Sequence, residues 1–143
     1  MRIIALDIGE KRIGVAVSDA AGKVASPLIV LDAKKTLGDC TELRRLIEDY
    51  EVERLVIGLP LSMDGTEGPQ AARVRRAASR LAQFLPLEME FADERLSSVE
   101  AERVMAAAGL SERDRRGEVD KVAAAVFLQS YLDSHGAHSP EEE

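Results

Sequence analysis

Three acidic positions stand where packing alone favours an apolar residue. Asp7 interrupts the run RIIALDI at residues 2–8. A carboxylate in a strand buried on both faces costs several kcal/mol unless something compensates it. The compensation is either a cation or, at a strand end, backbone donors from the turn Gly9–Lys11. Asp93 and Glu94 close the alternating run LEMEFA. Neighbours in a strand point to opposite faces, so only one of this pair shares a side with Asp7. Asp120 precedes Ala123, Ala124 and Phe127 by three, four and seven residues, which puts it on an apolar helical face. Its alternative role is to favour the helix dipole from the first turn, worth about 0.3–1 kcal/mol. Three carboxylates brought to one sheet edge repel unless a cation sits among them. Their hard oxygens suit Mg²⁺ or Mn²⁺, and such ions support phosphodiester hydrolysis by activating water and stabilising the leaving oxygen.

The cations are the natural counterpart of that chemistry. The chain carries 14 Arg against 5 Lys, and the guanidinium is the group suited to bidentate phosphate contacts. Lys11 and Arg12 follow Asp7 in a D-x-G-x-x-x-x-G hairpin ending at Gly14. That hairpin is similar to the first phosphate loop of actin-like and sugar-kinase ATPases, and also to ribonuclease-H-like nucleases. An actin-like ATPase closes two such lobes around its nucleotide, and 143 residues supply one. Arg113, Arg115 and Arg116 lie in a polar loop at 111–117, just ahead of Asp120, and are the better placed cluster for a nucleic acid. Arg73, Arg76 and Arg80 form a stripe expected on the solvated outer face of a helix, while Asp64-Gly65 reads as a turn or a rim of the site. His135 and His138 are expected in a solvated tail. No P-loop, no G-x-G-x-x-G and no Ser-His-Asp arrangement is present. With 3% aromatics and no Trp, base stacking contributes little, so binding would lean on the nucleic-acid backbone.

Size and composition bound the rest. At 143 residues, 45% hydrophobic and 31% charged, the chain predicts one globular domain over 1–135 and a flexible acidic tail at 136–143. The net charge of −7 argues against non-specific nucleic-acid affinity from bulk charge, although charge position matters more than the sum. The single Cys40 excludes an internal disulfide and a cysteine zinc site. No apolar run approaches the roughly 18 residues of a membrane span, and no signal peptide is recognisable, so a cytoplasmic location is expected.

The elements that must position these residues follow from periodicity. Strands are predicted at 2–8, 12–19 and 23–32, joined by short turns as an antiparallel meander. Pro27 places the third at an edge or a bulge. Leu43, Leu46, Ile47 and Tyr50 mark a helix over about 39–50, followed by a strand at 53–58. A helix at 69–84 starts at Pro69, a strand runs over 87–92, Ser97 and Glu100 form a capping box for a helix stopped by Gly109, and a last helix covers 118–132. The fold class is α/β: a five-stranded mixed sheet, a meander plus parallel strands, flanked by helices. Ligands in such sheets gather at the carboxyl ends of the parallel strands.

Four segments, LDIGEKRIGVAVSD, LVIGLPLSMDGTEGPQA, FADERLSSVEAE and EVDKVAAAVFL, in this order, resemble the YqgF/RuvX family over about Met1–Leu132. The resemblance implies a ribonuclease-H-like fold related to Holliday-junction resolvases. It implies a divalent-metal nuclease, with Mg²⁺ or Mn²⁺, that processes the 5′ end of pre-16S ribosomal RNA. The residues it carries over are Asp7, Glu94 (or Asp93) and Asp120 as catalytic metal ligands. Lys11, Arg12, Arg95, Arg113, Arg115 and Arg116 are then the phosphate contacts. Related resolvases use a fourth acid at the end of strand four, where this chain has Gly58-Leu59-Pro60. The competing expectations are a junction resolvase in DNA repair, which needs a homodimer presenting two sites, and a non-catalytic ribosome-assembly or RNA-binding factor.

Overall fold

The computed structural model describes residues 1–94, Arg103 and 119–136. Strands β1 (Ile3–Ile8), β2 (Arg12–Ser18) and β3 (Ala25–Asp32) form the antiparallel meander. Helices α1 (Ala33–Gly38) and α2 (Thr41–Asp49) lead to β4 (Arg54–Leu59). Helix α3 (Pro69–Ala82), β5 (Glu88–Asp93) and α4 (Val119–Gly136) complete the described elements. The sheet order is β3-β2-β1-β4-β5. β4 and β5 run parallel to β1, so three strands aim their carboxyl ends at one edge. β3 is an edge strand, and its register with β2 shifts between Val15 and Ala16, opposite Pro27, so the missing donor of Pro27 coincides with an irregularity in the ladder.

Strand parity assigns the faces. Ile4, Leu6 and Ile8 of β1, with Leu55 and Ile57 of β4, pack in a core with Leu43 and Ile47 of α2 and Val74 and Leu81 of α3. Ile3 and Ala5, with Ala16 and Val56, pack on the other side with Ala124, Phe127 and Leu128 of α4. Small residues on that side let α4 lie close to the sheet.

Element bounds lie within a few residues of the sequence reading, with two larger departures. α1 is an added helix, and α2 is the one expected over 39–50. The first is set by the side chain of Asp32, which accepts from the Lys35 amide at 2.8 Å, a local cap that periodicity does not register. α4 runs four residues beyond 132, so His135 is helical rather than in a tail: its ring stacks on Tyr131 at 3.9 Å, and its Nε2 lies 3.4 Å from Glu90. The capping box at Ser97–Glu100, Gly109, the 111–117 loop and residues 137–143 lie outside the described residues.

Candidate functional site

The site grows from one row of residues across the α4 face of the sheet. Asp7 belongs to that face by parity with Ile3 and Ala5. Its partner in β2 is Gly14. Leu6 pairs with Ile57 of β4, so one step further Asp7 adjoins Gly58. Asp7 therefore sits between two glycines, and each makes room for something. A Cβ at position 14 would strike the backbone carbonyl of Asp120, so the missing side chain lets the first turn of α4 rest on β2. A Cβ at position 58 would lie 2.5 Å from the Glu94 carboxylate and 2.9 Å from the Phe127 ring. The two glycines make a notch in the sheet, with Asp7 at its floor, α4 entering on one side and Glu94 on the other.

Glu94 follows β5 directly, its amide reaching the Leu59 carbonyl at 3.4 Å. Two residues on from Ala92, it returns to the α4 face, while Asp93 is exposed. Glu94 and Asp7 are hydrogen-bonded side chain to side chain. Burial first, then the charge of Asp7, the bond to it and the charge of Asp93, together push the Glu94 carboxyl up to about 9, with Arg73 opposing them. Burial also raises Asp7, the Glu94 bond lowers it, Asp120 raises it and Arg73 lowers it. The two acids therefore share a proton at neutral pH: Glu94 holds it and Asp7 accepts its hydrogen bond.

Asp120 is in the first turn of α4 and acts on Asp7 through its charge. Its carboxylate accepts from Nε of Arg12 at 2.8 Å, with side-chain exposures of 28% for the acid and 58% for the arginine. Arg12, expected to bind phosphate, is paired with an acid of the site in this structure. Among the described residues, no three His, Cys, Asp or Glu side chains are grouped tightly enough to enclose a metal ion as they stand. The donor chemistry still fits a divalent ion: two half-buried carboxyls offer only oxygen, and a proton now compensates their mutual repulsion. Lys11 is exposed in the β1–β2 turn, beside the site. Arg95, Arg113, Arg115 and Arg116 lie outside the described residues.

Asp64-Gly65 is a turn. Asp64 Oδ1 accepts from the Thr66 amide at 3.0 Å, Gly65 has φ +87°, and a bridge joins Leu61 to Glu67. Sequence reasoning missed Arg73, whose charge acts on both acids. It also missed the two notch glycines. The signal for them was available in principle: Gly14 and Gly58 each interrupt an apolar strand, where a glycine marks a close approach of other atoms.

The family model described as RuvX, Holliday junction resolvase, matches residues 1–134. A protein from Syntrophomonas wolfei, named "Putative pre-16S rRNA nuclease", is 46% identical over 133 residues, covering 93% of this chain and 94% of that protein. One of the same name from an Anaeromyxobacter species is 47% identical over 133 residues, covering 93% and 97%. Among solved structures, Thermus thermophilus RuvC in complex with a Holliday junction substrate superposes with TM-score 0.57 at 17% identity, covering 95% of this chain and 97% of that one. Fowlpox virus resolvase with its junction DNA superposes with TM-score 0.54 at 12% identity, covering 94% and 99%. The fold is the ribonuclease-H-like one of these resolvases.

Proposed function

The chain belongs to the RuvX family, and we propose on that premise that it is a divalent-metal-dependent nuclease acting in 5′-end processing of pre-16S rRNA in the cytoplasm. The observation that carries the chemistry is the Asp7–Glu94 pair, two half-buried carboxyls hydrogen-bonded to each other at the carboxyl edge of parallel strands. Nothing in packing rewards that arrangement, since an apolar pair would fill the same notch at lower cost. The names of the curated relatives supply the substrate.

Asp7, Glu94 and Asp120 would hold the ion. When bound, Mg²⁺ or Mn²⁺ supplies activation of the attacking water and stabilisation of the leaving oxygen. The chain's own residues do the rest. Glu94 would release its proton to solvent so that both carboxylates could serve as ligands. Arg12 holds the Asp120 carboxylate beside the notch, and its exposed guanidinium would meet a phosphate bound there. Lys11 on the same turn contacts the backbone, as do Arg95, Arg113, Arg115 and Arg116 in this reading. Gly14 fixes the start of α4, and hence Asp120, against β2.

The test is cleavage of labelled single-stranded RNA, single-stranded DNA and a four-way junction with Mg²⁺ or Mn²⁺, comparing wild type with Asp7→Asn and Asp120→Asn. Metal-dependent cutting of RNA, lost in both variants, is expected. Binding without cutting on every substrate would overturn the reading in favour of a non-catalytic assembly factor. A second reading, junction resolution in DNA repair, is favoured by the family model's own description. Preference for the four-way junction with symmetric cuts, and a homodimer in solution, would select it.

A further inference from the structure

On the opposite side of the β1–β2 turn from Asp7 lies a second cleft, about 400 Å³ in volume. Ile8, Gly9 and Leu37 form its floor with Ala77, and Arg73, Arg76 and Arg80 of α3 line its wall. This is the stripe that spacing alone puts on a solvated face. The structure separates these three arginines from their neighbour Arg75. Arg75 is consumed internally: it makes two bonds of 2.7 Å to the Glu67 carboxylate and lies 4.6 Å over the Phe91 ring. Arg80 is held by a single 2.6 Å bond from Nε to the Leu37 carbonyl, which fixes its terminal N–H groups at the cleft wall. Arg76 is exposed and makes no hydrogen bond or ion pair among the described residues. Arg73 is half-buried at the end nearest the acids, and its charge reaches both Asp7 and Glu94. Glu10 is the one acid on the lining, exposed at the turn.

We infer that this cleft binds the sugar–phosphate backbone of a single nucleic-acid strand flanking the cleaved bond, with Arg76 and Arg80 on successive phosphates and Arg73 linking the cleft to the acidic notch. The inference rests on the nuclease reading and extends it to the path of the substrate. Three guanidinium groups at i, i+3 and i+7 repeat along one line of α3, as phosphates repeat along a strand. The volume is at the low end of what holds a small ligand, room for a nucleotide of one strand. The apolar floor accepts a ribose, and the protein's net charge of −7 makes a localised cationic wall the place where a polyanion gains most.

Fluorescence anisotropy in EDTA tests the cleft without cleavage, using labelled single-stranded RNA, single-stranded DNA of the same sequence, and a polyglutamate peptide. Arg76→Ala is expected to weaken binding of both strands at least ~5-fold and to lower the salt slope by about 0.7, with about 1.4 for Arg76→Ala combined with Arg80→Ala. Arg75→Ala removes the same single charge from the same helix and is expected to leave affinity within ~2-fold. In Mg²⁺, Arg76→Ala should raise KM and keep kcat. Equal weakening by Arg75→Ala, wild-type affinity of the double variant, or a larger loss toward polyglutamate than toward the strands would overturn the inference. Cleavage that persists in Asp7→Asn sinks the acidic site alone, and the EDTA measurement still decides the cleft.

Discussion

Two polar clusters lie under α4, and they are built on opposite principles. At its carboxyl-terminal half, Arg54 donates to Glu88 at 2.9 Å and to the Tyr131 hydroxyl at 3.2 Å, and that hydroxyl donates to Glu90 at 2.8 Å. Burial and the Glu90 bond raise the Tyr131 phenol, and the Tyr131 bond raises Arg54. Charges of both signs meet here, and of this cluster Arg54 Nε is buried without a hydrogen-bond partner among the described residues. At its amino-terminal start, Asp7 and Glu94 are bonded to each other with no cation bonded to either among the described residues, while Arg12 engages the third acid. The matched cluster holds the helix to the sheet. The mismatched one is short of positive charge, and that deficit is what a metal ion would fill.

The comparison can be broken in order of expected effect. Asp7→Asn should lower metal-dependent cleavage at least ~100-fold with the fold retained, whereas Tyr131→Phe should leave kcat within ~2-fold, as a steady-state assay would read. Equal losses would mean the clusters do not divide into functional and structural. Next, Mg²⁺ at a hundred times its Kd should stabilise the wild type by about 2.7 kcal/mol in thermal melts. Asp7→Asn should show none of this gain.

The next effect depends on pH. Glu94 holds its proton more tightly folded than unfolded. Its contribution therefore favours the fold below about 4.5 and is lost as pH rises toward about 9. In EDTA the Tm should fall across that window, and Glu94→Gln should flatten the fall and raise the Tm at pH 8. A Glu94→Gln variant that melts lower than wild type at pH 8 would count against the mismatch. The smallest effect belongs to the matched cluster: Tyr131→Phe should cost about 1 kcal/mol in urea denaturation, because two hydrogen bonds lose their shared hydroxyl.

What the sequence made legible follows from period and parity. The nearly continuous apolar run through β1 exposes Asp7 as an anomaly, Pro27 points to an edge, and the spacing from Asp120 to Phe127 puts that acid on the sheet side of its helix. Parity in β5 separates Glu94 from Asp93. The rest depends on contacts between residues far apart in the chain. Arg12 and Asp120 are 108 positions apart, and no local pattern announces their ion pair. The stripe at 73, 76 and 80 looks the same in sequence whether it faces solvent or a cleft, and only the packing of Ile8 and Leu37 beside α3 decides it. α1 escaped because six residues are too few to show a period, and its start is a side-chain cap.

Gly58 carries a consequence for how such a site changes through substitution. The volume beside Asp7 on β4 is already taken by the Glu94 carboxylate, reaching over from the neighbouring strand. An acid placed at position 58 adds no fourth ligand; it competes with Glu94 for one space. A side chain there would also meet the Phe127 ring, so replacing Gly58 by Asp displaces both Glu94 and the ring that anchors α4 beside it.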